Sequence, residues 1–169
     1  MRTTLVPVLL AAVLTACGPD AQELPPGCDP EIGQKFDVEG QAHVPDGTTV
    51  EYRNNPPSSG DHASPLPYGK YRTEQPRERW VHSLEHGAIV LLYNCPAGCD
   101  DVRDALEAIH DRTDIDETGR RRVIVTPDSR MPHRIAAVAW QWVLALDTVD
   151  EQQISCFIAA HKGKAPENL

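Results

Sequence analysis

The chain has 169 residues, enough for one ordinary domain and too few for two. Twenty-five acidic residues against sixteen basic ones give a formal net charge of −9 with histidine neutral. That balance lacks the positive footprint that nucleic acid or an anionic lipid surface demands.

The first residues read as an address. Arg2 gives a positive start, and residues 5–14 are apolar, too short for a membrane span and suited to a signal core. Leu14-Thr15-Ala16-Cys17 follows and resembles a bacterial lipobox. That resemblance implies cleavage before Cys17, lipid on Cys17, and a protein held at a membrane surface in the periplasm or on the cell exterior. Residues 1–16 are then a leader, residues 17–30 a tether rich in proline, glycine and acids, and residues 31–169 a single domain. The leader contains Arg2 and no acid, so its removal takes the net charge to −10.

Beyond Cys17 four cysteines remain: Cys28, Cys95, Cys99 and Cys156. An even number in an exported chain favours two disulfides, which allow three connectivities. Pro96-Ala97-Gly98 makes a tight turn between Cys95 and Cys99 and favours that pair, leaving Cys28 with Cys156. A reduced Cys-x3-Cys site for a soft metal is the competing reading, disfavoured where nothing keeps thiols reduced.

Residues 36–39 alternate and predict a first strand; the Asp46-Gly47 turn signal and residues 48–52 predict a hairpin. Residues 53–79 form a long irregular stretch of the kind that is ordered for a function. Within it Asn55 and Pro56 each precede a proline, which bars helix and stiffens an arm presenting His62. Residues 88–93 are apolar throughout and predict a strand buried on both faces. Asp100 and Asp101 are cap residues for a helix with Val102, Ala105, Leu106 and Ile109 on its stripe. Residues 122–126 predict another strand, stopped by Pro127, and residues 129–133 a loop holding Met131. Residues 135–146 suit one or two strands. Asp150 caps a last helix with Ile154, Phe157, Ile158 and His161 on one face. The fold class expected is α+β: a mostly antiparallel sheet, two packed helices and a long ordered loop.

The chemistry concentrates between residues 54 and 93, which hold His62, His82 and His86, three of the seven histidines. His82 and His86 are four apart. On a helix their side-chain bases stand about 6 Å from each other, within reach of one ion. On a strand they would stand about 13 Å apart. A shared metal therefore requires a helical turn over residues 81–86, which Gly87 is placed to end.

Asn54-Asn55-Pro56-Pro57-Ser58-Ser59-Gly60-Asp61-His62 and Val81-His82-Ser83-Leu84-Glu85-His86-Gly87 resemble the two marks of a bacterial family of exported or membrane-tethered domains of unknown function. Those marks are an Asn-Pro-Pro-(Ser/Thr)-Ser-Gly-x-His loop and a Val-His-x-Leu-Glu-His-Gly segment. The likeness runs over residues 48–167, including residues 123–132, Ala139-Trp140, Leu146-Asp147, Asp150 and Pro166-Glu167. Gln141 stands where the family pattern has glycine, and the cysteines are peculiar to this chain. The resemblance implies a metal-binding domain, with copper the metal.

Three imidazoles by themselves suit copper, zinc, iron or nickel. Met131 in its loop offers a thioether, which favours copper over zinc as its fourth ligand. Glu85 is placed to orient a ligand imidazole from behind. His43 and His133 are weaker ligand candidates, and His110 and His161 sit near helix C-termini, where capping accounts for them. His82-Ser83-Leu84-Glu85-His86 also matches the H-x-x-E-H pattern of zinc peptidases, with Glu85 as base and Glu107 or Glu151 as distant ligand. A metal-free interaction lipoprotein is the third reading. No catalytic residue is assigned, the expected partners are a metal ion and a membrane, and the sequence names no protein partner.

Overall fold

The apolar run before Asn94 becomes the middle of the sheet, because only a strand covered on both faces can use five consecutive buried side chains. The computed structural model describes residues 24–167, so Cys17, the leader and the start of the tether lie outside the described residues. In chain order the elements are β1 (Gln34–Lys35), β2 (Gly69–Lys70), α1 (Arg77–Glu85), β3 (Ile89–Tyr93), α2 (Asp100–Arg112), β4 (Val123–Pro127), β5 (Ile135–Ala139), β6 (Trp142–Leu146) and α3 (Glu151–His161). The sheet order is β1-β6-β5-β3-β4-β2. β3/β5, β5/β6 and β1/β6 pair antiparallel. β3/β4 and β2/β4 pair parallel. β3 and β4 can run parallel because α2 lies in the crossover between them. Among the described residues no helix is long and apolar enough to cross a membrane.

Alternation along β3 divides the core into two layers. Ile89, Leu91 and Tyr93 pack with Val102, Leu106 and Ile109 of α2 and Ile154, Phe157 and Ile158 of α3. Val90 and Leu92 face the other way, against Trp80, Val81 and Leu84 of α1, with Leu66, Met131 and Trp140. The expected α+β class stands, with three packed helices where two were foreseen. α1 has nine residues, too few to be stable alone in water. It is held by burying Trp80, Val81 and Leu84 completely, each worth about 1.5–3 kcal/mol.

The N-terminal hairpin does not form. β1 is two residues long and pairs with β6 at the sheet edge, while residues 48–52 are irregular. Val50 N–H goes to the Glu78 carboxylate instead, and just beyond it Arg53 and Asn54 N–H go to Glu39. Once side chains satisfy those donors no strand ladder is needed there. Asp100 and Asp101 also sit differently from expectation. They occupy the first turn of α2 after the cap residue Cys99, and no side chain caps that end. Asp150 does cap α3, accepting from Gln153 N–H at 2.9 Å.

Residues 135–146 split into two strands at Trp140-Gln141, and Gln141 has φ +66°. That is the left-handed region, where a side chain costs about 1 kcal/mol. Gln141 is held there by its N–H to Ser58 C=O and its Nε2–H to Phe36 C=O. Gln141→Gly is therefore expected to be nearly neutral, strain relief of about 1 kcal/mol offsetting one lost hydrogen bond of about the same size. Gln141→Val keeps the strain, adds β-branching and loses the bond, and should cost about 2 kcal/mol in denaturant unfolding.

Candidate metal centre

Two segments converge at the C-terminal end of α1. The first is the proline arm: residues 56–60 are buried, with the Asn55–Pro56 bond cis. Gly60 has φ +131°, and a Cβ there would meet the Tyr52 ring at 2.7 Å, so the arm can turn at that point only with glycine. Tyr52 hydroxyl donates to Asp61 C=O at 2.8 Å and pins the turn. His62 follows, fully buried. Its backbone N–H donates to Ala42 C=O and its C=O accepts from Val44 N–H, a parallel bridge that lays His43 beside it.

The second segment is the end of α1. His82 and Glu85 lie on it and His86 caps it. Gly87 has φ +79°. Its N–H donates to Leu84 C=O and Ala88 N–H donates to Ser83 C=O, the paired closure that a left-handed glycine makes after a helix. The expected helical turn is present, and the chain leaves it directly into β3.

Three imidazoles are fixed in the same way. His62 Nδ1 lies 2.8 Å from Gly60 C=O, His82 Nδ1 2.6 Å from Ala63 C=O, and His86 Nδ1 3.0 Å from Glu167 C=O. A carbonyl oxygen can only accept, so each Nδ1 carries its proton and donates. In a neutral ring that leaves Nε2 a bare lone pair. These lone pairs point at one another. His82 Nε2 and His86 Nε2 are 2.9 Å apart, and His62 Nε2 is 2.9 Å from Glu85 Oε2. The last two atoms are buried and lack hydrogen-bond alignment with any partner among the described residues. Electron pairs facing at such distances repel unless a proton or a metal cation stands between them. Burial, first, holds His82 below the ordinary imidazole range, and the neighbouring rings of His62, His86 and His43 lower it further against the opposing Ala63 hydrogen bond. His82 is thus neutral, the form a metal requires.

One ligand atom from each of His43, His62, His82 and Glu85 lies within 4.8 Å of all the others. His43 is exposed and the other three are buried, so the cluster opens to solvent on one side. Gln41 Nε2–H donates to Glu85 Oε1 at 3.1 Å and leaves Oε2 toward the rings. Glu85 therefore meets the coordinating edge of His62 and does not support a ligand ring from behind, the role expected from its place in the motif. The backbone carbonyls of Gly60, Ala63 and Glu167 at Nδ1 hold the three rings in orientation.

Met131 is placed elsewhere. It is 2% exposed in the apolar layer with Trp80 and Leu66. Its carbonyl accepts from Asn94, which follows the C-terminal end of β3, whereas the histidines stand before the N-terminal end of that strand. His133 stays in the same β4–β5 loop. The loop position and rarity of Met131 suggest a thioether ligand; the fold uses it as packing. His43 carried no periodic signal, because an irregular segment aligns it with His62 only through the parallel bridge. Glu107 lies near Arg72 and Arg103, and Glu151 pairs with Arg112. His161 is stacked on Trp142 and bonded to Ile32 C=O. Both expected disulfides are formed, Cys28–Cys156 and Cys95–Cys99.

No curated protein and no solved structure matches this chain. A family model described as "Protein of unknown function (DUF3105)" matches residues 43–169, from the exposed histidine of the cluster through both histidine motifs to the end of the chain. The chain belongs to that family.

Proposed function

We propose that the protein is a lipid-anchored, extracytoplasmic binder of a transition metal, copper(II) foremost, held by His62, His82 and Glu85 with His43 and His86 completing the donor set. The observation that carries this is the shared tautomer: three rings tied at Nδ1 to backbone carbonyls, with their free Nε2 atoms turned toward one another and toward a carboxylate. With Met131 packed in the core, copper rests on nitrogen and oxygen donors. For such sites first-row divalent affinity peaks at copper, with zinc below it. The role is binding and transfer, with the exposed His43 as the way in and out. Two disulfides support an oxidising compartment, and the Leu14-to-Cys17 segment supports the anchor.

The zinc-peptidase reading draws less support. Its general base would have to face a substrate, and Glu85 instead faces His62 and is bonded by Gln41.

Elemental analysis and copper titration of protein purified from an oxidising compartment test the proposal. One ion per chain is expected. His62→Ala, His82→Ala and Glu85→Gln should each weaken binding by roughly a hundredfold or more, and Met131→Leu should leave it unchanged. Full occupancy surviving the combined loss of His62, His82 and His86 would sink the assignment.

A further inference from the structure

On the flank of α1 away from the proline arm lies a cavity of about 650 Å³, within the range of small-molecule sites. Its apolar wall is the run Pro65, Leu66, Pro67 and Tyr68. Its polar side comes from three other elements: the end of α1 with Ser83 and His86, the last turn of α2 with His110, and the segment before β4 with Arg120 and Arg121. No aspartate or glutamate lines it. In a chain of net charge −9, a wall with two arginines, two histidines and no acid is a local reversal that draws anions.

Most of these polar groups are already engaged. Ser83 hydroxyl donates to Leu66 C=O, Arg120 Nε–H donates to Thr118 Oγ1, and His86 Nδ1–H donates to Glu167 C=O. Two are not. Arg121 is half-buried and makes no ion pair among the described residues. His110 is only 8% exposed. Its Nδ1 donates to Asp111 Oδ1 at 3.0 Å, and its Nε2 is buried without a partner among the described residues. With the proton on Nδ1, a neutral ring leaves Nε2 an acceptor, so whatever satisfies it must bring a donor.

We propose that this cavity binds a small hydroxylated organic acid: its carboxylate on Arg121, its apolar body along Pro65–Tyr68, and its hydroxyl donating to His110 Nε2. The cavity shares His86 with the imidazole cluster but uses none of the facing Nε2 atoms, so the inference goes beyond the metal reading and stands without it.

The test is calorimetric titration of the metal-free full chain with three probes. These are 4-hydroxyphenylacetate, phenylacetate, which lacks the hydroxyl, and 4-hydroxyphenylethanol, which lacks the acid. Saturable binding is expected for the first, with about tenfold weaker binding for each of the others. Arg121→Gln should abolish the preference for the acid, and His110→Phe the preference for the hydroxyl, each leaving the other preference intact. Far-UV dichroism of both variants checks that they fold; if His110→Phe does not, His110→Gln takes its place. Equal binding of the three probes, no saturable binding of 4-hydroxyphenylacetate, or preferences unmoved by both substitutions would overturn the proposal.

Discussion

Replacing Cys28 and Cys156 together by serine is expected to lower stability by about 5 kcal/mol, the largest single effect foreseen in this protein. The bridge spans a sequence separation of 128, so its loss frees nearly the whole domain in the unfolded state, and chain entropy grows with the logarithm of the closed loop. It also holds the segment before β1 against α3, beside Phe157 and His161. Cys95–Cys99 closes a separation of only 4, and the same relation gives about 2 kcal/mol for its loss. The ordering is the sharper expectation. Thermal unfolding should fall by roughly 10–20 °C for the long bridge and by less than half of that for the short one. Equal shifts would mean that native packing around the bridges, rather than loop closure, decides their worth.

Asp128→Ala should cost about 3–5 kcal/mol. Asp128 is 1% exposed and Arg77 7%. The guanidinium engages the carboxylate from both sides, Nε–H to Oδ2 at 2.9 Å and Nη2–H to Oδ1 at 3.0 Å. Nη2–H also donates to Asn55 Oδ1 at 2.8 Å, and Asn55 Nδ2–H donates to Arg130 C=O. One buried arginine thus ties the start of α1, the loop after β4 and the foot of the proline arm. Removing the carboxylate leaves a buried cation without a partner, which is the costly case. Arg77→Met combined with Asp128→Leu removes both charges together and should unfold at a higher denaturant concentration than Asp128→Ala alone. Since α1 carries His82 and Glu85 and the arm carries His62, Asp128→Ala should also weaken metal binding without touching a ligand. Chemical denaturation with a parallel copper titration measures both effects.

The histidine pair was legible because at a spacing of four a helical turn brings two imidazoles to one ion and a strand does not, and Gly87 marked the end of the turn. The buried strand, the cap on α3 and the arm at Pro56-Pro57 were legible for the same reason: each depends on a few neighbouring residues. Met131 misled because a loop position in sequence says nothing about whether the loop folds inward over an apolar face. The N-terminal hairpin failed because Glu78, distant in sequence, takes the Val50 N–H that a strand partner would have used, and Glu39 takes those of Arg53 and Asn54 just beyond.

The amino-acid order alone determined the local facts: α1's final turn, the strand run, the short disulfide, and which imidazoles are near one another along the chain. Tertiary structure decided the rest. It laid His43 beside His62 through a backbone bridge, turned Glu85 onto the coordinating edge, and brought Glu167 C=O from the far end of the domain to His86. Each of those depends on a contact between segments separated by many residues, and periodicity carries no information about which distant carbonyl will fix a ring's tautomer.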